Sequence, residues 1–240
     1  MENKQNKNPV LVITRRELKS FFASPAPYII YALFLFCSGV LFFSTFFIRN
    51  RTELRMFFNL LPILLTFFVP ALTMRLYSEE KKSGSIETLM TLPVTEVQVV
   101  NGKYLASFFI SAIMIAPTLL YAVSAALFGH LDSGPIIGGY IGAFLLCGAY
   151  SAIGLFASSV TKNQIIAIFT ALAINLVLTL SGSFLLFMPP KVVSVVSFFS
   201  ISAHFDSISK GIVDSRDIIY FASVITLFIL ATIQSERNSK

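Results

Sequence analysis

The chain has 240 residues, of which 55% are apolar and only 12% charged, with a mean hydropathy of +0.79. A soluble domain cannot hide that much apolar surface, so lipid is the solvent for most of the chain. The net charge of +6 forms no basic stripe interleaved with aromatics, which argues against nucleic acid and for anionic lipid headgroups as the partner of the basic excess.

In chain order, residues 10–22 read as an amphipathic helix, with Val10, Ile13, Leu18, Phe21 and Phe22 alternating with Thr14, Arg15, Arg16, Glu17 and Lys19. Such a segment lies along the inner membrane interface with its apolar side down. Ser24-Pro25-Ala26-Pro27 then breaks it and turns the chain into the bilayer, since Pro is tolerated in a first helical turn. Five apolar blocks, 27–48, 56–77, 104–128, 135–160 and 165–188, each reach the ~20 residues needed to cross a hydrocarbon core. A sixth, 218–233, is shorter and reaches the interfaces through its flanks Asp217 and Gln234. The first block is too long for the apolar core of a cleavable signal and no small-residue cleavage site follows it.

The expected fold is therefore all-α, a single polytopic domain over residues 1–240 with six transmembrane helices. Pro62 and Pro70 in the second block and Pro117 in the third predict bends. Gly134, Gly138 and Gly142, spaced by four, lead on to Gly148, Ala152 and Gly154 and predict close approach of another helix. Cys37 and Cys147 read as small buried hydrophobes. Residues 189–217 are too apolar for a free loop and too polar for a span, which predicts a re-entrant or interfacial segment on the outer side.

With the amino terminus inside, Lys and Arg divide twelve to the cytoplasm and six outside, which favours both termini cytoplasmic. Arg49, Arg51 and Arg55 crowd one outer loop and weaken that count.

The loop between the second and third blocks is long enough for structure of its own. It runs Ser78-Glu79-Glu80-Lys81-Lys82-Ser83-Gly84-Ser85 and on through Pro93. Gly84 allows a break, and residues 85–92 then form a short helix that Pro93 ends. Ile86, Leu89 and Met90 make its apolar stripe, with Glu87 facing away. Thr95 and Gln98 match a capping box that starts the next helix. An apolar knob rimmed by charge is either a loop resting on headgroups or a docking plug for a soluble partner, and the pattern favours the second.

The run from Arg75 through Pro93 and Val94, with Asn101-Gly102-Lys103-Tyr104 after it, resembles the signature of type-2 ABC exporter permeases. Within that family it is most similar to gliding-motility and nitrous-oxide-reductase-maturation permeases. A second similarity lies in His204-Phe205-Asp206 through Asp217 and Phe221. The resemblance implies two permease subunits, identical or paralogous, above a separate cytoplasmic ATPase that carries ATP and Mg, in a bacterial inner membrane. An extracytoplasmic accessory protein is a further candidate partner. It also implies that residues 79–93 are the ATPase-docking coupling region, with Glu79, Glu80, Gly84, Ser85, Ile86, Glu87, Leu89, Met90 and Pro93 as its site residues. Residues 10–22, with Arg15, Arg16 and Glu17, become the connecting helix beside it.

No catalytic, cofactor or metal residue is expected on this chain. Gly102-Lys103 lacks the earlier glycine and following Ser or Thr of a phosphate loop, so ATP must bind elsewhere. The histidines, His130 and His204, form no metalloprotease motif, and Ser151 has the spacing of helix packing, not of a nucleophile elbow. No span holds a carboxylate for ion coupling, and Asn175 is the most polar group at depth, so a secondary carrier is the weaker alternative. A non-transporting scaffold or force-transmitting subunit of a secretion or motility complex is the other.

Overall fold

A computed structural model of the chain describes residues 8–49, 54–85, 94–128, 132–184, 196–212 and 214–238. Among them every regular element is helical. The first, α1 (Pro9–Ala23), opens on Asn8, whose side chain accepts from the Val10 amide, and has Pro in its first turn, where no donor is lost. It buries Ile13, Thr14 and Phe21. Then α2 (Ala26–Arg49) and α3 (Arg55–Thr73) form a pair, and the chain breaks at Met74 before α4 (Arg75–Ser83).

The break has a partner. Ser158 Oγ accepts from the Tyr77 and Ser78 amides, each at 3.0 Å, and donates to Met74 O at 2.8 Å, so backbone groups at the interruption are satisfied inside protein. Gly84, with φ at +72°, ends α4 in a left-handed cap that favours glycine.

The capping box expected at Thr95 is formed: Gln98 N donates to Thr95 Oγ1 at 3.3 Å and Thr95 N to Gln98 Oε1 at 3.0 Å. It starts α5 (Glu96–Ile115) well before the apolar block begins. At Pro117 the helix tightens into a 3-10 turn (Ala116–Thr118) and continues as α6 (Leu119–Phe128). The remaining elements are α7 (Ser133–Val160), α8 (Gln164–Phe184), the short α9 (Ile201–Ser209) and α10 (Ser215–Asn238).

Among the described residues six helical stretches are long and apolar enough to cross a membrane: Ala26–Ser44, Arg55–Ser83, Glu96–Leu127, Ser133–Val160, Gln164–Gly182 and Ser215–Asn238. They are not equivalent. The apolar window of α7 is 78% buried, against 22% in α2 and α8 and 17% in α10. α7 is thus the hub, and α2, α8 and α10 present broad exposed faces. Small residues make this possible. A Cβ on Gly154 would lie 2.0 Å from Thr73 Oγ1, and one on Gly138 would lie 2.3 Å from Ile208 O, so α3 and α9 each touch the hub at near-backbone distance. Its Leu146 and Tyr150 share one core with Phe34, Phe58, Leu61, Leu65, Phe205 and Phe221 of the surrounding helices.

Interhelical hydrogen bonds cross-link this core, where lipid offers no substitute partners. Thr66 Oγ1, Tyr150 Oη and Thr179 Oγ1 form a triangle joining α3, α7 and α8, with sides of 3.2, 3.1 and 2.5 Å. Ser151 Oγ lies 3.1 Å from Ser111 Oγ between α7 and α5, a packing contact and not a nucleophile's setting. Asn175 is fully buried on α8, and among the described residues neither of its amide atoms has a hydrogen-bond partner.

The short helix expected over residues 85–92 and the outer stretch 189–195 lie outside the described residues, apart from Ser85. Of the outer segment, α9 is described and packs on α7, α8 and α10 through Ile201, Phe205 and Ile208.

Candidate functional site

Four helices converge where α4 leaves the apolar core: α1, α4, α5 and the last turn of α10. Lys103, on the second turn of α5, is fully buried at the centre. An unpaired buried ammonium costs several kcal/mol or more, so its surroundings decide whether the fold tolerates it. Here Nζ donates to Leu76 O at 2.6 Å and to Glu17 Oε1 at 3.4 Å, and it pairs electrostatically with Glu80 Oε2 at 2.8 Å. It also sits 4.8 Å from the centroid of the Tyr77 ring.

Arg16 completes the cluster from the solvent side, reaching Glu17 at 2.6 Å and Glu80 at 3.0 Å. Two cations and two carboxylates from three helices therefore neutralise one another. Partial burial pulls the Arg16 guanidinium down, but the hydrogen bond and charge of Glu17, then those of Glu80, outweigh it and raise its pKa above the ordinary value. A second contact fixes α1 on α5: Thr14 Oγ1 donates to Gly102 O at 3.0 Å, and a Cβ on Gly102 would lie 2.8 Å from that of Ile13. On the outside of α4, Arg75 pairs with Glu79 at 3.1 Å and donates to Ser24 Oγ, holding the corner after α1. Between α1 and α4 a polar cleft of about 130 Å³ is lined by Glu17, Ser20, Phe21, Arg75, Glu79 and Glu80.

The residues singled out from the sequence separate into groups. Glu79 is half exposed, whereas Glu80 turns inward to Lys103. Gly84 and Ser85 stand exposed at the end of α4. Ile86, Glu87, Leu89, Met90 and Pro93 lie outside the described residues. Arg15 is exposed, while Arg16 and Glu17 belong to the ion cluster. Gly138 and Gly142 face Ile208 and Phe205 of α9, and Gly134 meets Gly211 at the same contact. The reading of the sequence assigned Lys103 no site role: it stood there among the cytoplasmic cations, in the signature run and in the rejected phosphate loop. Its one visible signal was a lysine flanked by Val99, Val100 and Ala106 in an apolar register.

At the opposite end, His204 on α9 pairs with Asp217 on α10, Nδ1 to Oδ1 at 2.7 Å, and its Nε2 lies 3.1 Å from Phe198 O. The ring stacks on Tyr220 with centroids 4.0 Å apart, and Tyr220 donates to Phe199 O at 2.7 Å. Nearby, a cavity of about 400 Å³ between α3, α8 and α9 is lined by Asn59, Pro62, Thr179, Gly182, Ser202 and Asp206. Burial pushes the Asp206 carboxyl above its ordinary value, with Lys210 and then Arg55 pulling the other way. Among the described residues no three His, Cys, Asp or Glu side chains are placed to hold a metal ion.

A family model described as ABC-2 family transporter protein matches residues 51–233. The chain belongs to the ABC-2 family. It is accordingly a multi-pass membrane protein and the permease component of an ABC-type transporter, not itself the ATPase. No curated protein matches it. In an ABC-2 permease the junction around Lys103 is of interest because α4 and α5 flank the loop whose sequence carried the family resemblance.

Proposed function

We propose that this permease couples ATP hydrolysis on a separate cytoplasmic subunit to export, or to mechanical work, across the membrane, and that the ATPase docks on the edge made by α1, α4 and the start of α5. The observation that carries this reading is the buried Lys103 cluster. It welds those three helices into one body through charges drawn from each. A push on any one of them is then delivered to all three, and through the Met74 break to α3 and the hub.

On this reading Gly84, Ser85 and Glu79, with the loop residues Ile86, Glu87, Leu89, Met90 and Pro93, face the ATPase, and ATP with Mg stays on that partner. Arg15, exposed on α1, is the connecting helix's own contribution. Glu80, Arg16 and Glu17 are the weld behind the docking surface. The edge faces the cytoplasm, both termini lie inside, and two permease subunits, identical or paralogous, share the assembly in a bacterial inner membrane. The similarity to gliding-motility and nitrous-oxide-reductase-maturation permeases leaves both export and force transmission in view.

The test is a double substitution, Glu79→Lys with Leu89→Asp, which leaves the Lys103 cluster intact. The expected result is a correctly folded permease from native membranes that no longer brings ATP hydrolysis with it on affinity purification. Unchanged copurifying activity in that variant would sink the docking assignment.

A further inference from the structure

Glu236 and Arg237 are neighbours in the last turn of α10, yet they reach two different helices. Glu236 Oε1 pairs with Lys81 Nζ at 2.8 Å, with side chains 2% and 11% exposed. Lys81 lies on α4, three residues before Gly84 ends it, and also donates to Ser159 O at the end of α7. Arg237 Nε pairs with Glu96 Oε2 at 3.2 Å, and Glu96 is the first residue of α5. One helical turn therefore grips both stems between which residues 84–95 run. Both gripping residues fall beyond residues 51–233, so the family match carries nothing about them.

The two pairs differ in weight. Lys81–Glu236 is buried, and its desolvation is offset only while the geometry is good, so the pair specifies one placement of α4 against α10. Arg237–Glu96 is more open and weak alone, but it needs little reorganisation once the neighbouring residue is fixed. At its other end α10 carries Asp217, paired to His204 of α9. From Asp217 to Glu236 a helix rises roughly 28 Å, close to the thickness of a hydrocarbon core.

We propose that Glu236 and Arg237 are positioning residues that clasp α4 and α5, so that the sixth span moves with the ATPase-facing edge and carries its displacement to α9. The proposal rests on the docking reading above for the identity of that edge. The clasp itself is independent of it.

The test is hydrogen exchange on the full chain in nanodiscs of phosphatidylethanolamine and phosphatidylglycerol, with no ATPase present. Glu236→Gln should raise exchange in residues 78–83 by about tenfold, and Arg237→Glu should raise it in residues 96–102 by about two- to threefold. The exchanged pair Glu96→Arg with Arg237→Glu should return the second region to its original rate. The proposal is overturned if neither single variant changes exchange in its stem, or if the exchanged pair stays as fast as Arg237→Glu. Arg237 is exposed enough for its variants to fold, so the second arm stands even if Glu236→Gln does not. The docking variant Glu79→Lys with Leu89→Asp should leave both stems protected, which separates failure of docking from failure of the clasp.

Discussion

The two ends of the molecule are closed by different chemistry. At the Lys103 end full charges meet: Lys103 with Glu80 and Glu17, Lys81 with Glu236, Arg75 with Glu79. At the His204 end the described residues show one histidine–carboxylate pair, hydrogen bonds from Tyr220 and Ser202 to main-chain carbonyls, and the close approach of α9 to Gly138. At the Lys103 end the charges share several partners, whereas at the His204 end the buried Asp217 carboxylate rests on a single ion pair among the described residues.

The largest effect that tests this contrast is Lys103→Met, which leaves the partly buried Glu17 and Glu80 with Arg16 alone to pair with among the described residues. It should cost about 3–5 kcal/mol, read as a lower thermal unfolding midpoint in detergent. Adding Glu80→Leu and Glu17→Leu should recover much of the loss, because the stranded charges go too. If Lys103→Met unfolds like the parent, the Lys103 end is not held by charge. Next comes Gly138→Ala, whose methyl has only backbone to displace. About 1–3 kcal/mol is expected, with exchange raised in α9 and unchanged around Lys103. A loss spread evenly over both ends would erase the distinction.

Asp217→Asn is third. The amide removes the carboxylate that pairs with His204 Nδ1. A loss of about 1–3 kcal/mol, confined by exchange to α9 and the start of α10, is the expected outcome. The smallest effect is Glu79→Ala. This exposed pair with Arg75 should be worth under about 1 kcal/mol and vanish at high salt, which makes the adjacent Glu79 and Glu80 the sharpest internal control.

That adjacent pair also shows why the sequence was legible for the fold and less so for the site. Six apolar blocks, the capping box at Thr95, the left-handed stop at Gly84 and the small-residue face of α7 are all written in local spacing. Even the 3-10 turn at Pro117 follows from one missing donor. Glu79 and Glu80 look alike in a charged run, but consecutive residues on a helix point about 100° apart. One faces water and the other a lysine 23 positions later. The Lys103–Glu17 contact spans 86 residues, and His204–Asp217 depends on the turn at Gly211, where φ is +86°. A count of lysines by side of the membrane scores a buried cation and a solvated one the same, and the hub of the junction disappeared into that count.

The central place of α7 has a consequence for biosynthesis. Partners that α3 and α5 need, Tyr150 for Thr66 and Ser151 for Ser111, belong to a helix made after them. At about 5–20 residues per second, the first three spans exist for on the order of seconds before α7 is complete. During that interval the hydroxyls of Thr66 and Ser111 can turn only to their own helices, to Pro62 O and Ser107 O. The nascent chain must therefore assemble around its fourth span, and a ribosome pausing near residue 130 would lengthen the time in which quality control meets an unfinished bundle.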